Sequence, residues 1–206
     1  MGDVRSGLPV AAGIGLGVAS VAADRVDGTL RTALQFLAST GFSWGCVGFL
    51  VALPARTRGA AVAASVTALC AATGCYYWLN LGGGPFGGVL LAFGYWLALS
   101  VAGGAALGVL AHAIRRDRPQ RAAVAAGVAG GLLAGAGIQI AVVDPGPAQL
   151  LNGGLQAAAG LLVVAWLFAR RPAPRPWLRY AGATVLACTV AALVWDAVES
   201  VRVVGF

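Results

Sequence analysis

Seven apolar runs, separated by short links that carry most of the charge, constrain this chain more than any other feature. They cover roughly residues 8–24, 41–55, 59–80, 87–114, 121–143, 149–169 and 177–200. The hydrocarbon core of a bilayer is about 30 Å thick and takes roughly 20 residues of helix to cross. Backbone inside lipid must satisfy its own hydrogen bonds, which leaves helices as the answer for runs of this length. The expected fold is therefore all-α: one integral membrane domain over residues 1–206, a bundle of about seven transmembrane helices. Composition excludes the soluble alternative. A mean hydropathy of +0.84, with 59% hydrophobic and 10% charged residues, is more apolar surface than a soluble domain of this size buries. No polar stretch is long enough for a separate soluble domain. The first run, Leu8 to Ala23, lacks a small-residue cleavage site, so no signal peptide is expected.

Between the first two runs, Asp24 to Thr40 is neither wholly apolar nor a simple turn. Leu30, Ala33, Leu34 and Leu37 recur at helical spacing, with Arg31 and Gln35 on other faces. This is the pattern of a short helix over 28–40 lying in the interface, or of a lid. The other links combine Pro or Gly with charge or polarity, as in Gly82-Gly83-Gly84-Pro85 and Asp144-Pro145-Gly146-Pro147, and stop helices.

All fourteen basic residues are arginine, the usage of a GC-rich bacterial genome. The net charge of +7 invites a nucleic-acid partner, but the arginines lie in loops between apolar runs, so topology explains them and no nucleic acid is expected. Eleven fall on the side of the N-terminus: Arg5, Arg56, Arg58, Arg115, Arg116, Arg118, Arg121, Arg170, Arg171, Arg175 and Arg179. Three fall opposite: Arg25, Arg31 and Arg202. That split places the N-terminus in the cytoplasm and the C-terminus outside, in a bacterial inner membrane. Cys46, Cys70, Cys75 and Cys188 sit inside apolar runs without a paired CxxC and read as small buried hydrophobes. His112 lacks partners for a metal site or a triad. Neither metal nor cofactor is expected.

The polar residues are sorted by this orientation. Asp24, Asp27, Asp144, Asp196 and Glu199 fall towards the outer side, as do Asn80, Gln139, Asn152 and Gln156. Trp44, Tyr76, Tyr77, Trp78 and Trp195 join them, while the cytoplasmic halves are nearly all Ala, Gly, Val and Leu. Asp196 and Glu199 close the last run three residues apart, so on a helix they share a face. A helix C-terminus disfavours a negative charge, and the protonated carboxyl it favours is what a proton donor needs. The plainer reading is a helix end reaching water, with Glu199 paired to Arg202. Asp24 and Asp27 form a second such pair, near Arg25 and Arg31. Tyr76-Tyr77-Trp78 reads as an interfacial aromatic belt or as a cavity wall, and Tyr95 and Trp96, near mid-membrane, favour the wall.

An outer-half pocket of acids, aromatics and amides fits proton-initiated chemistry on a lipidic substrate. An acid protonates a prenyl alkene or epoxide, aromatic faces guide the carbocation, and a weak base removes the last proton. Dryness matters, because water would quench the cation. Seven short helices in about 200 residues with isolated outer acids resemble the small integral-membrane terpene cyclases, bacterial drimentine-type indole-terpene cyclases and fungal meroterpenoid cyclases. The resemblance implies a farnesyl-bearing, indole-type substrate, a donor at Asp196 or Glu199, and Asp24 as a partner. Trp44, Tyr76, Tyr77, Trp78, Asn80, Tyr95, Trp96, Gln139, Asn152, Gln156 and Trp195 are the candidate substrate-binding residues. No DDxxD or DxDD stretch is present, so the soluble terpene-synthase motifs are absent. Leu37-Ala38-Ser39-Thr40-Gly41-Phe42-Ser43-Trp44 and Gly74-Cys75-Tyr76-Tyr77 are also similar to a bacterial membrane family of unknown function. Two other classes stay open: a small transporter or solute-binding subunit using the outer acids, and a scaffold associating through the small-residue faces of Gly103-Gly104 with Gly108, Gly127 with Gly130 and Gly131, and Gly135 with Gly137.

Overall fold

A computed structural model of the protein describes residues 7–38, 40–81, 86–143, 146–170 and 176–205. Among these no strand occurs, and the helices are α1 (Leu8–Arg25), α2 (Gly28–Ala38), α3 (Gly41–Ala52), α4 (Arg58–Leu79), α5 (Phe86–Arg116), α6 (Pro119–Val143), α7 (Pro147–Ala169) and α8 (Trp177–Gly205). Six of them, α1 and α4 to α8, are long and apolar enough to cross a membrane. The chain is thus an all-helical, multi-pass membrane protein.

The second expected span differs. The apolar run 41–55 becomes α3, whose 12 residues reach only about 18 Å at 1.5 Å per residue, short of a bilayer core. Its start is fixed by a reciprocal capping box. The Ser43 backbone N–H donates to Thr40 Oγ1, and the Thr40 N–H donates to Ser43 Oγ, satisfying two N-terminal groups at once. Its end falls at Pro54, which has no N–H to continue the ladder. The expected helix over 28–40 forms as α2, two residues shorter.

Internal packing divides the chain into two compact units, Met1–Val109 and Leu110–Phe206. In the first, α1 runs parallel to α4. Gly13 lies against Ala68 and Gly17 against Ala72 and Cys75, and the Arg25 guanidinium donates to the Leu79 carbonyl at 2.8 Å. Successive turns of α1 therefore meet successive turns of α4 in the same direction. The two glycines are four residues apart and share one face, and with no side chains there the backbones approach closely. A Cβ on Gly17 would lie 2.6 Å from the Ala72 carbonyl oxygen.

Parallel neighbours oblige the chain to come back between them. The 22 residues of α4 are about 33 Å long, and residues 26–57 cover that return through α2 and then α3. Trp44 packs beside Leu16 and Ala72, and Gly48 lies against Ser65 and Leu69, so α3 descends antiparallel to α4. At the joint, the Ala38 carbonyl that ends α2 accepts from Ser20 Oγ at 2.6 Å and from Trp44 Nε1 at 2.8 Å. A helix-terminal carbonyl that would otherwise lack a partner is thereby satisfied. On the other side, Gly104 and Gly108 of α5 meet Val66 and then Val62, an antiparallel seam. Thr73 and Ser100, both buried, share a hydrogen bond of 2.7 Å across it.

The second unit is built around α6. Gly127, Gly131 and Gly135, one turn apart, meet Ala183, Ala187 and Ala191 of α8 in a constant register, so α6 and α8 are parallel. The other face of α6 packs antiparallel on α7: Gly137 meets Gly153 and Ala157, while Gly160 meets Leu133 and Ala134. Contact on both faces explains why about half of the helix is alanine and glycine and why about half of it is buried. At the far end of α7, Phe168 is buried between Trp177, whose ring centroid is 5.1 Å away, and Tyr180, stacked on it at 5.5 Å.

Candidate functional site

The C-terminal ends of α1 and α4 gather the richest set of polar and aromatic groups in the first unit. Because the two helices are parallel and in register, Asp24 comes level with Tyr76. The Tyr76 hydroxyl donates to Asp24 Oδ2 at 2.8 Å. One residue further, Arg25 caps the last turn of α4 through Leu79, and Asn80 turns back so that its amide donates to the Tyr76 carbonyl at 3.0 Å. The Tyr76 ring meets Tyr77 edge-on at 5.4 Å, and Tyr77 meets Phe93 of α5 edge-on at 5.7 Å. Edge-to-face rings present both positive edges and negative faces. The result is a carboxylate held by a phenol at one end of a half-buried aromatic row, an arrangement that accepts a proton or accompanies a cation. Asp27 is exposed in the link that follows.

Other expected site residues of this unit divide. Trp44 is committed to structure, its indole N–H spent on Ala38. Trp78 is 74% exposed and matches the interfacial belt. Tyr95 and Trp96 are half-buried and meet edge-on at 5.5 Å on α5.

In the second unit the last turns of α6 lie beside the start of α7, and Gly135 one turn earlier meets Ala191 of α8. Gln156 is wholly buried, and its Nε2 donates to Asn152 Oδ1 at 3.2 Å. Its Oε1 is buried without a partner. Extending the α6–α8 register by one turn brings half-buried Gln139 level with half-buried Trp195. Asp196 is exposed, next to Trp195 on α8. The side chain of Glu199 and the whole of Asp144 lie outside the described residues, as does the expected Glu199–Arg202 pairing. Asp24 with Tyr76, Tyr77 and Asn80 thus forms one group, Gln156 with Asn152 another, and the two belong to different units.

An orphaned buried carbonyl oxygen costs about 1–3 kcal/mol. Gln156→Met keeps the volume and removes it, and about 2–4 °C follows each kcal/mol in a chain of this size. A thermal scan of the purified variant should show a midpoint a few degrees higher. A lower midpoint would mean that the Nε2 bond to Asn152, which the substitution also removes, outweighs the orphaned oxygen.

Cys46, Cys70, Cys75 and Cys188 are free and half-buried. His112 Nδ1 is buried without a partner, and among the described residues no three of His, Cys, Asp and Glu gather as a metal site would require. Ser20, Thr73 and Ser100 went unremarked in the sequence reading. Isolated hydroxyls inside apolar runs were the available signal, since in a membrane such groups find partners on a neighbouring helix.

A protein-family model described as "Family of unknown function (DUF6518)" matches residues 3–200. No curated protein and no solved structure matches the chain.

Proposed function

The chain belongs to the DUF6518 family of unknown function, and from that premise we propose that it is a membrane-embedded cyclase of prenylated substrates. The observation that supports this most is the Tyr76–Asp24 hydrogen bond beside the Tyr76–Tyr77–Phe93 row. The reaction is redox-neutral. A carboxylic acid gives a proton to a prenyl alkene or epoxide of a farnesylated, indole-type substrate. The carbocation closes rings against aromatic faces, and Asp24 accepts the proton lost at the end. A carboxylate already accepting from a phenol is arranged as a base and counter-charge. Asp196 and Glu199, the donors that the resemblance implies, belong to the other unit and are tested by substitution alone.

The topology in this reading has seven passes, with α2 and α3 together making the second. The arginine split sets the N-terminus in the cytoplasm and the Asp24 group on the outer face of a bacterial inner membrane.

The test is a product assay. Purified protein is incubated with a farnesylated indole and with its terminal epoxide, and the mixture is resolved by chromatography and mass spectrometry. The expected result is a product of unchanged mass and new retention, lost with Asp196→Asn or Glu199→Gln, whichever removes the donor. No turnover by folded protein would overturn the cyclase.

One observation favours a second reading, a small transporter. Each unit holds one parallel pair, α1 with α4 and α6 with α8, with the chain returning between its members, and carriers are often built from repeats. A carboxylate beside aromatic rings also binds a permanent cation. Saturable binding of an unreacted quaternary ammonium ion, lost with Asp24→Asn, would select this reading.

A further inference from the structure

The junction of α7 and α8 carries a different chemistry, independent of the site above. Leu151, Leu155, Leu162 and Trp166 recur along α7 at near-helical intervals, and each is more than half exposed. Together they make one lipid-facing stripe, about 22 Å long at 1.5 Å per residue. Arg170 follows one turn beyond Trp166 and closes the helix, its backbone N–H donating to the Trp166 carbonyl at 3.1 Å. Its guanidinium carbon lies 3.8 Å from the centre of the Trp166 ring. Stacking occupies a face of the guanidinium and leaves its N–H edge to donate, and that planar fork matches a phosphate. Among the described residues no carboxylate engages it. Phe168, clasped by Trp177 and Tyr180, holds the start of α8 to the end of α7, which brings exposed Arg179 to the same rim beside Leu178, 90% exposed.

We propose that this rim binds an anionic phospholipid, its phosphate on Arg170 with Arg179 adding positive charge, and an acyl chain along Trp166, Leu162, Leu155 and Leu151. Charge complementarity selects the headgroup. The aromatic ring fixes the guanidinium at the depth where a phosphodiester sits, and the leucine stripe below it is continuous with that point. Basic residues at a membrane surface attract acidic lipids in general. The distinguishing element here is one arginine held by one tryptophan at the head of an apolar track.

The test is thermal stabilisation of the full chain in neutral detergent, titrated with dioleoylphosphatidylglycerol, dioleoylphosphatidylcholine or inorganic phosphate. Phosphatidylglycerol should raise the unfolding midpoint by several degrees, with phosphatidylcholine and phosphate far less effective. Arg170→Gln should weaken the phosphatidylglycerol response about tenfold in apparent affinity, the equivalent of one lost charge-assisted contact. Trp166→Leu should weaken it too, and provides the same test should Arg170→Gln fail to fold, while Arg56→Gln, in the other unit, should leave it unchanged. An undiminished phosphatidylglycerol response in both Arg170→Gln and Trp166→Leu overturns the proposal. So does an equal response to phosphatidylcholine, and so does phosphate alone matching phosphatidylglycerol, which would make the site one for a free ion.

Discussion

Gly131→Leu should strongly destabilise the folded protein, whereas Gly182→Leu should be silent. The two residues lie on the two helices of one parallel pair, yet their surroundings are opposite. A Cβ on Gly131 would fall 2.5 Å from the Ala187 Cβ and 2.7 Å from the Cys188 backbone nitrogen, while one on Gly182 would meet nothing within 4 Å. The obstruction at Gly131 includes backbone, so no rotamer change relieves it. Helix α8 must move away, and Gly127 and Gly135 share its register, so one displacement opens three turns of contact. Overpacking a tight core costs about 1–3 kcal/mol at a site that relaxes locally. Here relaxation is collective, and the loss should reach the upper part of that range or beyond, a large share of a native stability of about 5–15 kcal/mol. Without a hydrophobic force between helices in lipid, close van der Waals contact is a main source of association. Gly131→Ala should be intermediate. Thermal scans with size-exclusion profiles of the three detergent-purified variants decide the matter, and equal midpoints for Gly131→Leu and Gly182→Leu would refute the seam.

Much of this architecture is legible in the chain because lipid imposes a simple rule on composition. A run such as 121–143, apolar and continuous, has to be a helix, and its glycines at four-residue spacing have to make a flat face. The identity of the opposing helix is not written in that spacing. Gly127, Gly131 and Gly135 present the same face whether α7 or α8 covers it, and their constant register against Ala183, Ala187 and Ala191 emerges only from the packed unit. The second span shows a different limit. Hydropathy over 41–55 counts apolar residues without regard to where a helix can begin, whereas the start of α3 is set by hydroxyls at Thr40 and Ser43. The capping pattern was present in the sequence, inside a stretch that periodicity alone extended as one interfacial helix to residue 40.

The candidate site was legible to a similar degree. Asp24, Tyr76, Tyr77 and Asn80 were separately placed at helix ends on one side, from the arginine pattern and the apolar runs. Their meeting depends on α1 and α4 being parallel, which in turn depends on Gly13 and Gly17 admitting the backbone of α4. Burial was less legible. Gln156 and Gln139 look alike in the sequence, but Gln156 is sealed at the α6–α7 seam beside Gly137, while Gln139 is half-buried.

Replacing Asp24 and Tyr76 in turn should separate the roles open to the carboxylate. If Asp24 receives the final proton, Asp24→Asn should lower turnover about 10²–10⁴-fold, the range for a general base. Remaining product should shift towards alkenes formed by loss of other protons or towards alcohols from water capture. Tyr76→Phe removes one hydrogen bond to a charged group, worth about 1.5–3 kcal/mol, while the carboxylate remains. Turnover should then fall about tenfold to a hundredfold with the product pattern mostly kept. The contrast between the two variants is the informative part. If Asp24 were instead the initiating acid, Asp24→Asn would stop turnover altogether and leave no product pattern to shift. A third outcome is equally readable. If the 2.8 Å bond only fastens the ends of α1 and α4, both variants should keep full turnover and differ from the parent in thermal midpoint alone. Single-turnover rates and product ratios at one pH, with the midpoint measured on the same samples, distinguish the three.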